Sequence, residues 1–397
     1  MARARTQHFF DRLNTFVRNY TAGMNSRDLQ RLFQRDAANA YAVLTRDHVQ
    51  EPEPKKGLRR LLHRIRLTFL GLSYKLSPAR RLVFVVALIF LLLGLTRDLE
   101  VAINQGKVQI LIDFSPFWFT WSFLALVYLL ALELVDRIRV RDELEVAREL
   151  QAALLPQEMP VVPGWSFAHS YRTANEVGGD YYDLMPLPDG RVALVVGDAS
   201  GHGMAAGLVM AIANATLKTA LDLDPAPERV AALLNRAIYR IGNKRTFMSI
   251  FYGVLDPATG SLSFVSAGHP FPFVRRQDGR IEELGCGGLP LGMRENLPLE
   301  TGTAELQPGD LLVLYTDGLA EAVDAFGRSF SYEGIAELLR EDGAPWSIHD
   351  RILASFDRHI GDEPLRDDLT LLVMSRLPPV PPLAEMVAKI AAAVASE

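Results

Sequence analysis

The amino-acid sequence predicts an α+β domain of layered sheets and helices, preceded by a helical N-terminal region with a transmembrane hairpin. Two long apolar runs lie in the first third of the 397 residues, and strand-like runs alternate with helical stretches from Trp165 onward. A chain of this length accommodates two or more domains of about 150 residues each. The composition divides it into a cytoplasmic basic helical region (1–81), a two-span hairpin (82–135), a connector helix (136–160), the α+β domain (161–376), and a Pro-rich linker with a C-terminal helix (377–397).

The second apolar run is long enough to cross a bilayer. It extends from Phe114 to Leu132 and contains 19 residues without a formal charge, and a membrane-spanning helix needs roughly 20. The first run, Leu82 to Leu95, has only 14 residues. It fits either a buried helix or, if the helix continues through Thr96 towards Ile103, a first membrane span. We expect the two runs to form a hairpin.

The charges around the two runs predict the orientation of the hairpin. Lys55 to Arg81 contains nine Lys or Arg and no Asp or Glu, and Arg137, Arg139 and Arg141 follow the second run. The connection from Arg97 to Lys107 has two basic and two acidic residues. Because an excess of Lys and Arg marks the cytoplasmic side, both ends are expected in the cytoplasm of a multi-pass protein of the inner (cytoplasmic) membrane. No cleavable signal peptide is expected, because the first apolar run begins about 80 residues into the chain.

The basic stretch before the hairpin has the pattern of an amphipathic helix. Apolar residues recur at helical spacing from Leu58 to Leu72 among several arginines. This pattern is typical of a helix on an anionic membrane surface, and it also fits a solvated cytoplasmic helix. Residues 1–50 are polar with helical character and suggest no chemistry.

A second amphipathic helix is predicted after the hairpin. Its apolar stripe has spacings of four, three, three and four residues and consists of Val140, Leu144, Ala147, Leu150 and Leu154. Pro156 stops this helix. The stripe fits a short coiled coil that would make a homodimer, and it also fits a helix packed on its own domain, because about two heptads do not decide between them.

Five strand-like runs and three helical stretches follow in the α+β domain. The predicted strands are Val192–Val196, Met248–Leu255, Leu262–Ser266, Leu311–Tyr315 and Leu369–Met374. The predicted helices are Met204–Leu221, Pro227–Ile241 and Tyr332–Leu339. The second and third strands are joined by DPATG, a good hairpin connection, and the first two helices form a pair. This order indicates mixed α+β layers rather than a regular βαβ array.

The composition argues against several classes of function. A net charge of −5 gives no general reason to expect a nucleic-acid partner. The single cysteine, Cys286, excludes an internal disulfide framework and fits a reducing compartment. No histidine is close to Cys286 in the sequence, so a buried or loop thiol is favoured over a nucleophile. The chain has no P-loop, Rossmann glycine pattern or HExxH motif.

Aspartates recur next to glycines or at strand ends. Asp198 lies in VVGDASGHGMAAG, between a predicted strand and the helix that begins at Met204, and Asp180 follows two glycines. Asp317 follows LLVLYT, and Asp367 and Asp368 directly precede another strand. Each alone fits an ordinary turn residue. Together they predict a site for Mg²⁺ or Mn²⁺, which prefer oxygen ligands. Two such ions about 3.5–4 Å apart can clamp a phosphoryl oxygen.

Six blocks along the chain extend this hypothesis to a family. In order they are EVGGDYYD, VGDASGHGMAAGLVMA, FMSIFYGVLD, SAGHP, GDLLVLYTDGLAEA and RDDLTLLVM. The region from Leu144 to Met374 resembles the metal-dependent serine/threonine phosphatases of the PPM family, in particular the bacterial SpoIIE and RsbU branch. The resemblance implies a β-sandwich flanked by α-helices, with a binuclear Mn²⁺ or Mg²⁺ centre between the sheets. It also implies a phosphorylated regulatory protein as substrate, commonly an antagonist of an anti-sigma factor.

The resemblance also implies roles for individual residues. Asp198 corresponds to the aspartate that bridges both ions, and the backbone carbonyl of Ala199 to a second ligand. Asp317 and Asp367 correspond to further ligands of one ion. Asp180 corresponds to the acid that holds metal-bound water on the other ion. These residues, with Asp180 and Asp198 also counted as catalytic, are the expected metal centre.

The remaining site candidates are less defined. His202 occupies the position of a histidine that could protonate the leaving seryl oxygen, and it also fits a structural role in the turn. Glu176 and Asp368 are expected outside the ligand set, and Gly318 accompanies the Asp317 motif. Many eukaryotic members have an arginine that grips the phosphate, whereas Arg172 stands in a different arrangement here. Phosphate binding is therefore expected to depend on the metals and on the docking surface of the substrate.

Three functions from different classes fit these observations. The first is a membrane-tethered serine/threonine phosphatase whose connector helix relays a change in the hairpin to the turn before Asp180. The second is a catalytically weak or inactive phosphatase-like module that anchors a signalling partner at the membrane. The third is a nucleotide cyclase, suggested only by the Gly-Gly-Asp triplet at 178–180. The blocks around Asp317 and Asp367 have no place in the third.

Overall fold

The computed structural model describes residues 57–95, 99–102, 109–112, 114–241, 246–285 and 287–378. The chain divides into two compact units, Met1–Ile138 and Arg139–Glu397. The predictions for residues 1–56, for Cys286 and for the C-terminal helix after residue 378 lie outside the described residues.

The described residues of the first unit form three helices and a small hairpin. Helix α1 spans Gly57–Lys75, α2 spans Pro78–Leu95, and α3 spans Ser115–Ala152, so that it begins in the first unit and ends in the second. Strands β1 (Leu99–Ala102) and β2 (Gln109–Ile112) pair antiparallel between α2 and α3.

This hairpin corrects one prediction. The first apolar run does not continue as a helix towards Ile103, because Leu99–Ala102 is a strand, and the helix is instead extended on its N-terminal side to Pro78. Proline suits the first turn of a helix, where its missing N–H has no intrahelical partner. Beyond Leu95 the chain carries Asp98 and Glu100, charges that disfavour continuation of a membrane span.

Helices α2 and α3 pack on each other and leave apolar side chains exposed. The hydroxyl of Ser122 donates to the Ala87 carbonyl at 2.8 Å, and the rings of Phe90 and Trp118 have centroids 5.4 Å apart. Leu92 and Phe123, by contrast, are 63% and 66% exposed. Both helices are long and apolar enough to cross a membrane, which confirms that the N-terminal region is suited to a membrane hairpin.

The predicted second span and the predicted connector form one continuous helix, α3, of 38 residues. It ends at Ala152, four residues before Pro156. A third helix satisfies the length and composition of a span, Met204–Leu223. It belongs to the folded second unit, where Met210 and Leu217 are completely buried.

The second unit contains two five-stranded antiparallel sheets. The first sheet has the order β10-β7-β6-β5-β4, with bounds Thr301–Glu305, Ser261–Ala267, Met248–Leu255, Val192–Ala199 and Asp180–Pro186. The second has the order β3-β12-β11-β8-β9, with bounds Trp165–Arg172, Leu369–Arg376, Leu311–Tyr315, Phe273–Arg275 and Ile281–Glu283.

Helices cover the outer faces of both sheets. Helices α4 (Met204–Leu223) and α5 (Pro227–Ile241) pack on the first sheet, and α8 (Pro345–Ile360) packs on the second. Two short helices lie near the second sheet, α6 (Asp317–Ala320) and α7 (Tyr332–Leu338). The predicted α+β class, a β-sandwich flanked by helices, is confirmed.

Strand β11 shows why its sequence, LLVLY, is uninterrupted by polar residues. Successive side chains of a strand point to opposite faces. Leu312 and Leu314 belong to the core between the two sheets, whereas Leu311, Val313 and Tyr315 belong to the core beneath α8. A strand buried on both faces therefore reads as a continuous apolar run, and a polar side chain is tolerated only at its end.

Candidate active site

The predicted aspartates meet at one end of the sandwich. Asp180 is the first residue of β4 and is the direct pairing partner of Asp198 near the end of β5. In the second sheet, Asp317 follows the end of β11 and Asp367 precedes the start of β12, and these two strands are antiparallel neighbours. The sheet order thus brings to one place four residues that are up to 187 positions apart in the sequence.

Asp180 is the buried centre of this arrangement. It is 1% exposed, and its Oδ2 accepts hydrogen bonds from the hydroxyls of Thr316 at 2.7 Å and Thr370 at 2.6 Å. The Thr316 hydroxyl also accepts from the Thr370 amide at 2.9 Å. A carboxylate of the first sheet is therefore held by two hydroxyls of the second. The sequence reasoning missed both threonines, although each lies in a recognised block, YTDG or DDLT.

The carboxylates raise one another's pKa. Burial, followed by the charges of Asp180 and Asp317, raises the pKa of Asp198, and burial also raises that of Asp180 despite its two hydroxyl bonds. Burial, followed by the charge of Asp367, raises the pKa of Asp317 to about 6. Like charges brought together out of water favour protonation, or the arrival of a cation.

The oxygen atoms around Gly179 suit a divalent cation. A Cβ added to Gly179 would lie 2.8 Å from the Ala199 carbonyl oxygen and 2.9 Å from Asp198 Oδ1. The two predicted oxygen ligands therefore face the same small space, which only glycine leaves open, and oxygen is the donor that Mg²⁺ and Mn²⁺ prefer. Among the residues described, no three Asp, Glu, His or Cys side chains are already arranged around one ion. The fit therefore depends on the donor set and on this space.

Asp368 organises the backbone that leads to Asp180. It accepts hydrogen bonds from the amides of Ala174 at 2.7 Å and Gly179 at 2.5 Å. A Cβ on Gly318 would collide with the backbone carbonyl of Asp368. Glycine at 318 thus allows the turn after Asp317 to approach the start of β12.

A glutamine at the end of α3 binds the same turn. The Gln151 side chain is buried; its Nε2 donates to the Gly178 carbonyl at 2.5 Å and its Oε1 accepts from the Gly178 amide at 2.9 Å. The sequence reasoning read only the apolar stripe of this helix and missed Gln151. The available signal was a lone amide side chain next to that stripe.

Three other candidates form no described side-chain hydrogen bond with the carboxylate cluster: His202, Glu176 and Arg172. His202 and Glu176 are exposed, and His202 lies between Gly201 and Gly203, which have φ of 98° and 65°. Only glycine adopts such backbone conformations easily, so the two glycines shape the turn that presents His202. Arg172 forms an ion pair with Asp357 of α8 at 2.5 Å.

A further pair borders the cluster and was also missed. Ser249 is the pairing partner of Asp198 on β6, and its hydroxyl is 3.0 Å from Nδ1 of His269. Burial lowers the pKa of His269 to about 3, and the backbone of Tyr315 opposes this shift. The imidazole is therefore neutral at physiological pH. His269 belongs to the SAGHP block, which was quoted for the resemblance without a role.

Comparison with known proteins identifies the domain. Residues 188–377 match the family described as stage II sporulation protein E (SpoIIE). The chain contains a SpoIIE-family domain of the PP2C/PPM phosphatase type. The predicted membership in the SpoIIE/RsbU branch is confirmed.

Two relatives and one solved structure are similar to this chain. It is 27% identical over 307 residues to Protein IcfG of Synechocystis sp., covering 70% of this chain and 48% of IcfG. It is 25% identical over 240 residues to phosphoserine phosphatase RsbU of Bacillus subtilis, covering 60% of this chain and 71% of RsbU. The SiaA-PP2C domain of Pseudomonas aeruginosa, at 24% identity, covers 61% of this chain and 99% of that domain with a TM-score of 0.54. This structure shares the fold, and the chain spans about half the length of IcfG.

Proposed function

We propose that this protein is a membrane-tethered serine/threonine phosphatase that removes phosphate from a regulatory protein, such as an antagonist of an anti-sigma factor. The observation that carries the proposal is the Asp180–Asp198 pair, joined at one end of the sandwich by Asp317 and Asp367 within a SpoIIE-family domain. The relative RsbU is named a phosphoserine phosphatase, which supports the substrate class.

In this proposal, Asp180, Asp198, Asp317, Asp367 and the Ala199 carbonyl would hold two Mn²⁺ or Mg²⁺ ions. When bound, such ions stabilise the charge on phosphoryl oxygens and lower the pKa of water. The chain itself orients the ligands. Thr316 and Thr370 hold the Asp180 carboxylate, and Asp368 and Gln151 hold the turn before it.

His202 is the proposed proton donor to the leaving seryl oxygen. It is exposed to solvent on a glycine-bounded turn four residues after Asp198, where a protein substrate can reach it. An imidazole can hold and donate a proton, which suits general acid catalysis. The ion pair of Arg172 with Asp357 supports a mode of phosphate binding that does not use Arg172.

The proposed tether is the hairpin of α2 and α3, with both ends of the hairpin on the cytoplasmic side of the inner membrane. Exposed apolar side chains on both helices support it, as do the basic residues on the flanks. Helix α1 exposes Phe69 and Leu72 on a strongly basic segment, which suits an anionic membrane surface.

A homodimer through α3 is also proposed. Val140 and Leu150 of the apolar stripe are 56% and 66% exposed, so the helix is not covered there by its own domain. A coiled coil with a second copy would bury this stripe.

The test is phosphate release by the full chain in detergent, from p-nitrophenyl phosphate and from a phosphoserine peptide. Turnover is measured with Mn²⁺, with Mg²⁺ and with EDTA, beside Asp198→Asn and Asp317→Asn. Metal-dependent turnover that both substitutions abolish supports the phosphatase. Absence of turnover on every substrate, together with absence of metal binding by calorimetry, would instead favour the anchoring module.

A further inference from the structure

A pocket of about 330 Å³ opens at the end of β11. Its wall includes His269, Phe271, Glu283, Tyr315, Tyr332 and Glu333, and we refer to it as the aromatic pocket. Tyr315 is the last residue of β11, two positions before Asp317. The pocket therefore lies at the same end of the sandwich as the site, and its volume falls within the range of about 300–1,000 Å³ typical of ligand sites.

Aromatic rings form a firm wall on one side of the pocket. The rings of Tyr315 and Tyr332 have centroids 6.1 Å apart, and Phe273 stacks on Tyr315 at 5.6 Å. The Tyr315 hydroxyl donates to the Phe271 carbonyl at 3.0 Å, which fixes the ring. Tyr332 is 38% exposed, so a ligand can reach it from solvent. The faces of such rings attract cations.

The charge around the pocket is negative. Glu283 and Glu333 are exposed, and in the part of the chain that the structure describes neither forms an ion pair. Burial raises the pKa of Tyr332, and the charges of Glu321 and Asp317 raise it further. Among the described residues, no Lys or Arg lines the pocket.

The inner end of the pocket is polar but uncharged. His269 is 4% exposed and lines the pocket. Its Nδ1 is 3.0 Å from the Ser249 hydroxyl, and its Nε2 is buried. The neutral ring adds no positive charge that would repel a cation.

We propose that the aromatic pocket binds a basic side chain, arginine or lysine, of the phosphoprotein substrate, close in sequence to the phosphorylated residue. The inference rests on the proposed function, because the phosphorylated residue must face the adjacent carboxylate cluster. Two unpaired carboxylates beside two tyrosine rings complement a cation, whereas they repel an acidic side chain and give a neutral one no advantage. The pocket thereby selects among phosphoproteins.

The test uses the full chain in detergent with Mn²⁺ and a set of nine-residue phosphoserine peptides on an alanine-glycine background. Each peptide has a single arginine, lysine, glutamine or glutamate at one position. The readout is the ratio of kcat/KM for the basic peptide to that for the glutamine peptide. Because both values come from the same protein preparation, partial loss of folded enzyme cancels from the ratio.

We expect a ratio of about ten at one position near the phosphoserine. In Glu283→Gln/Glu333→Gln the ratio should fall below about two. The matched control, Glu295→Gln/Glu300→Gln, removes two exposed carboxylates away from the pocket and should keep the ratio. In Glu283→Lys/Glu333→Lys the preference should reverse towards the glutamate peptide at the same position.

Three results would overturn the inference. The first is dephosphorylation of the peptides without any basic preference. The second is a preference that survives in both variants of Glu283 and Glu333. The third is a preference lost equally in the control variant. Absence of phosphate release from every peptide and from p-nitrophenyl phosphate is a different result, because it overturns the proposed function itself and the pocket inference with it.

Discussion

At the scale of single residues, the site depends on polar partners that hold Asp180 and its turn. Asp180 is buried away from water, and two hydroxyls from the other sheet satisfy one of its oxygens. A buried group that loses such a partner pays its desolvation cost, about 1–3 kcal/mol. The site therefore requires the hydroxyls of Thr316 and Thr370 as well as the aspartates.

Replacing Thr370 by valine removes one of these hydroxyls and keeps the side-chain shape. We expect Thr370→Val to lower the free energy of unfolding by about 1–3 kcal/mol and to weaken Mn²⁺ binding. Urea unfolding and calorimetric titration measure the two effects. Thr303→Val, at an exposed position of β10, should change neither. Equal behaviour of the two variants would argue against the role given to Thr370.

Gly318 gives a steric prediction. Gly318→Ala places a Cβ against the backbone of Asp368, so the turn after Asp317 must move. We expect a loss of about 1–3 kcal/mol in unfolding free energy and a strong loss of phosphatase activity. Gly334→Ala, in α7, meets only Ser331 Oγ at 3.6 Å and should be neutral or slightly stabilising. A normal rate for Gly318→Ala would show that the tight turn is dispensable.

At the scale of elements, α3 connects the hairpin sequence with the turn before Asp180. In its last turn, Gln151 forms two hydrogen bonds with the backbone of Gly178. These bonds give a physical basis to the hypothesis that the connector relays a change to the site. The described contacts establish only one arrangement of this helix, so the relay stays a prediction.

Removal of the Gln151 side chain tests this contact. We expect Gln151→Ala to lower kcat for p-nitrophenyl phosphate at least several-fold and to weaken Mn²⁺ binding, because the Gly178 turn loses both bonds. Gln157→Ala is the matched control, since Gln157 donates to the Ala152 carbonyl at 2.7 Å in an exposed position. If both variants kept the rate of the parent chain, the turn would not depend on α3.

The exposed stripe of α3 yields a prediction about assembly. Val140→Asp/Leu150→Asp places charges on the stripe, and we expect it to convert a dimer in detergent into a monomer. Val146→Asp, which is also 56% exposed but lies off the stripe, should leave the dimer intact. Light scattering or analytical ultracentrifugation measures the mass. A parent chain that is already monomeric would refute the proposed coiled coil.

At the scale of the whole molecule, stability and metal binding are linked through the carboxylate cluster. The pKa values of Asp180, Asp198 and Asp317 are raised in the folded state, chiefly by burial. The folded state therefore binds more protons than the unfolded state above about pH 4. Without metal, the stabilisation from protonated carboxylates is present at low pH and is lost as pH rises, for Asp317 through about 6.

This linkage predicts opposite effects of pH with and without metal. In EDTA, the contribution of these carboxylates should lower the Tm as pH rises from about 4 to 8. Mn²⁺ should raise the Tm most at the upper end, because its ligands must be deprotonated. Asp198→Asn should flatten the EDTA profile and reduce the response to Mn²⁺. If Mn²⁺ left the Tm of the parent chain unchanged at pH 8, the result would contradict the assignment of the carboxylate cluster as a metal site.

The sequence alone determined the elements whose side chains carry their own pattern. The apolar runs of β6, β11 and α5 were predicted with the bounds that the structure shows, because burial on both faces of a strand or one face of a helix dictates hydropathy. The aspartates stood out because glycine or a strand end accompanies each one. Strands β3 and β4 and helix α8 were missed, and so were the three short strands β8, β9 and β10. The three strands have three to five residues, too few for a clear period.

The tertiary structure alone decided which groups meet. Thr370 lies 190 residues from Asp180, and Gln151 lies 27 residues from Gly178. Sheet order and register create these contacts, and no local periodicity encodes them. The aromatic pocket likewise combines residues from β9, β11, α7 and the segment after β7. A sequence shows which residues prefer burial, whereas the partner of each buried polar group follows from how the layers stack, because each must find its hydrogen bonds within the folded core.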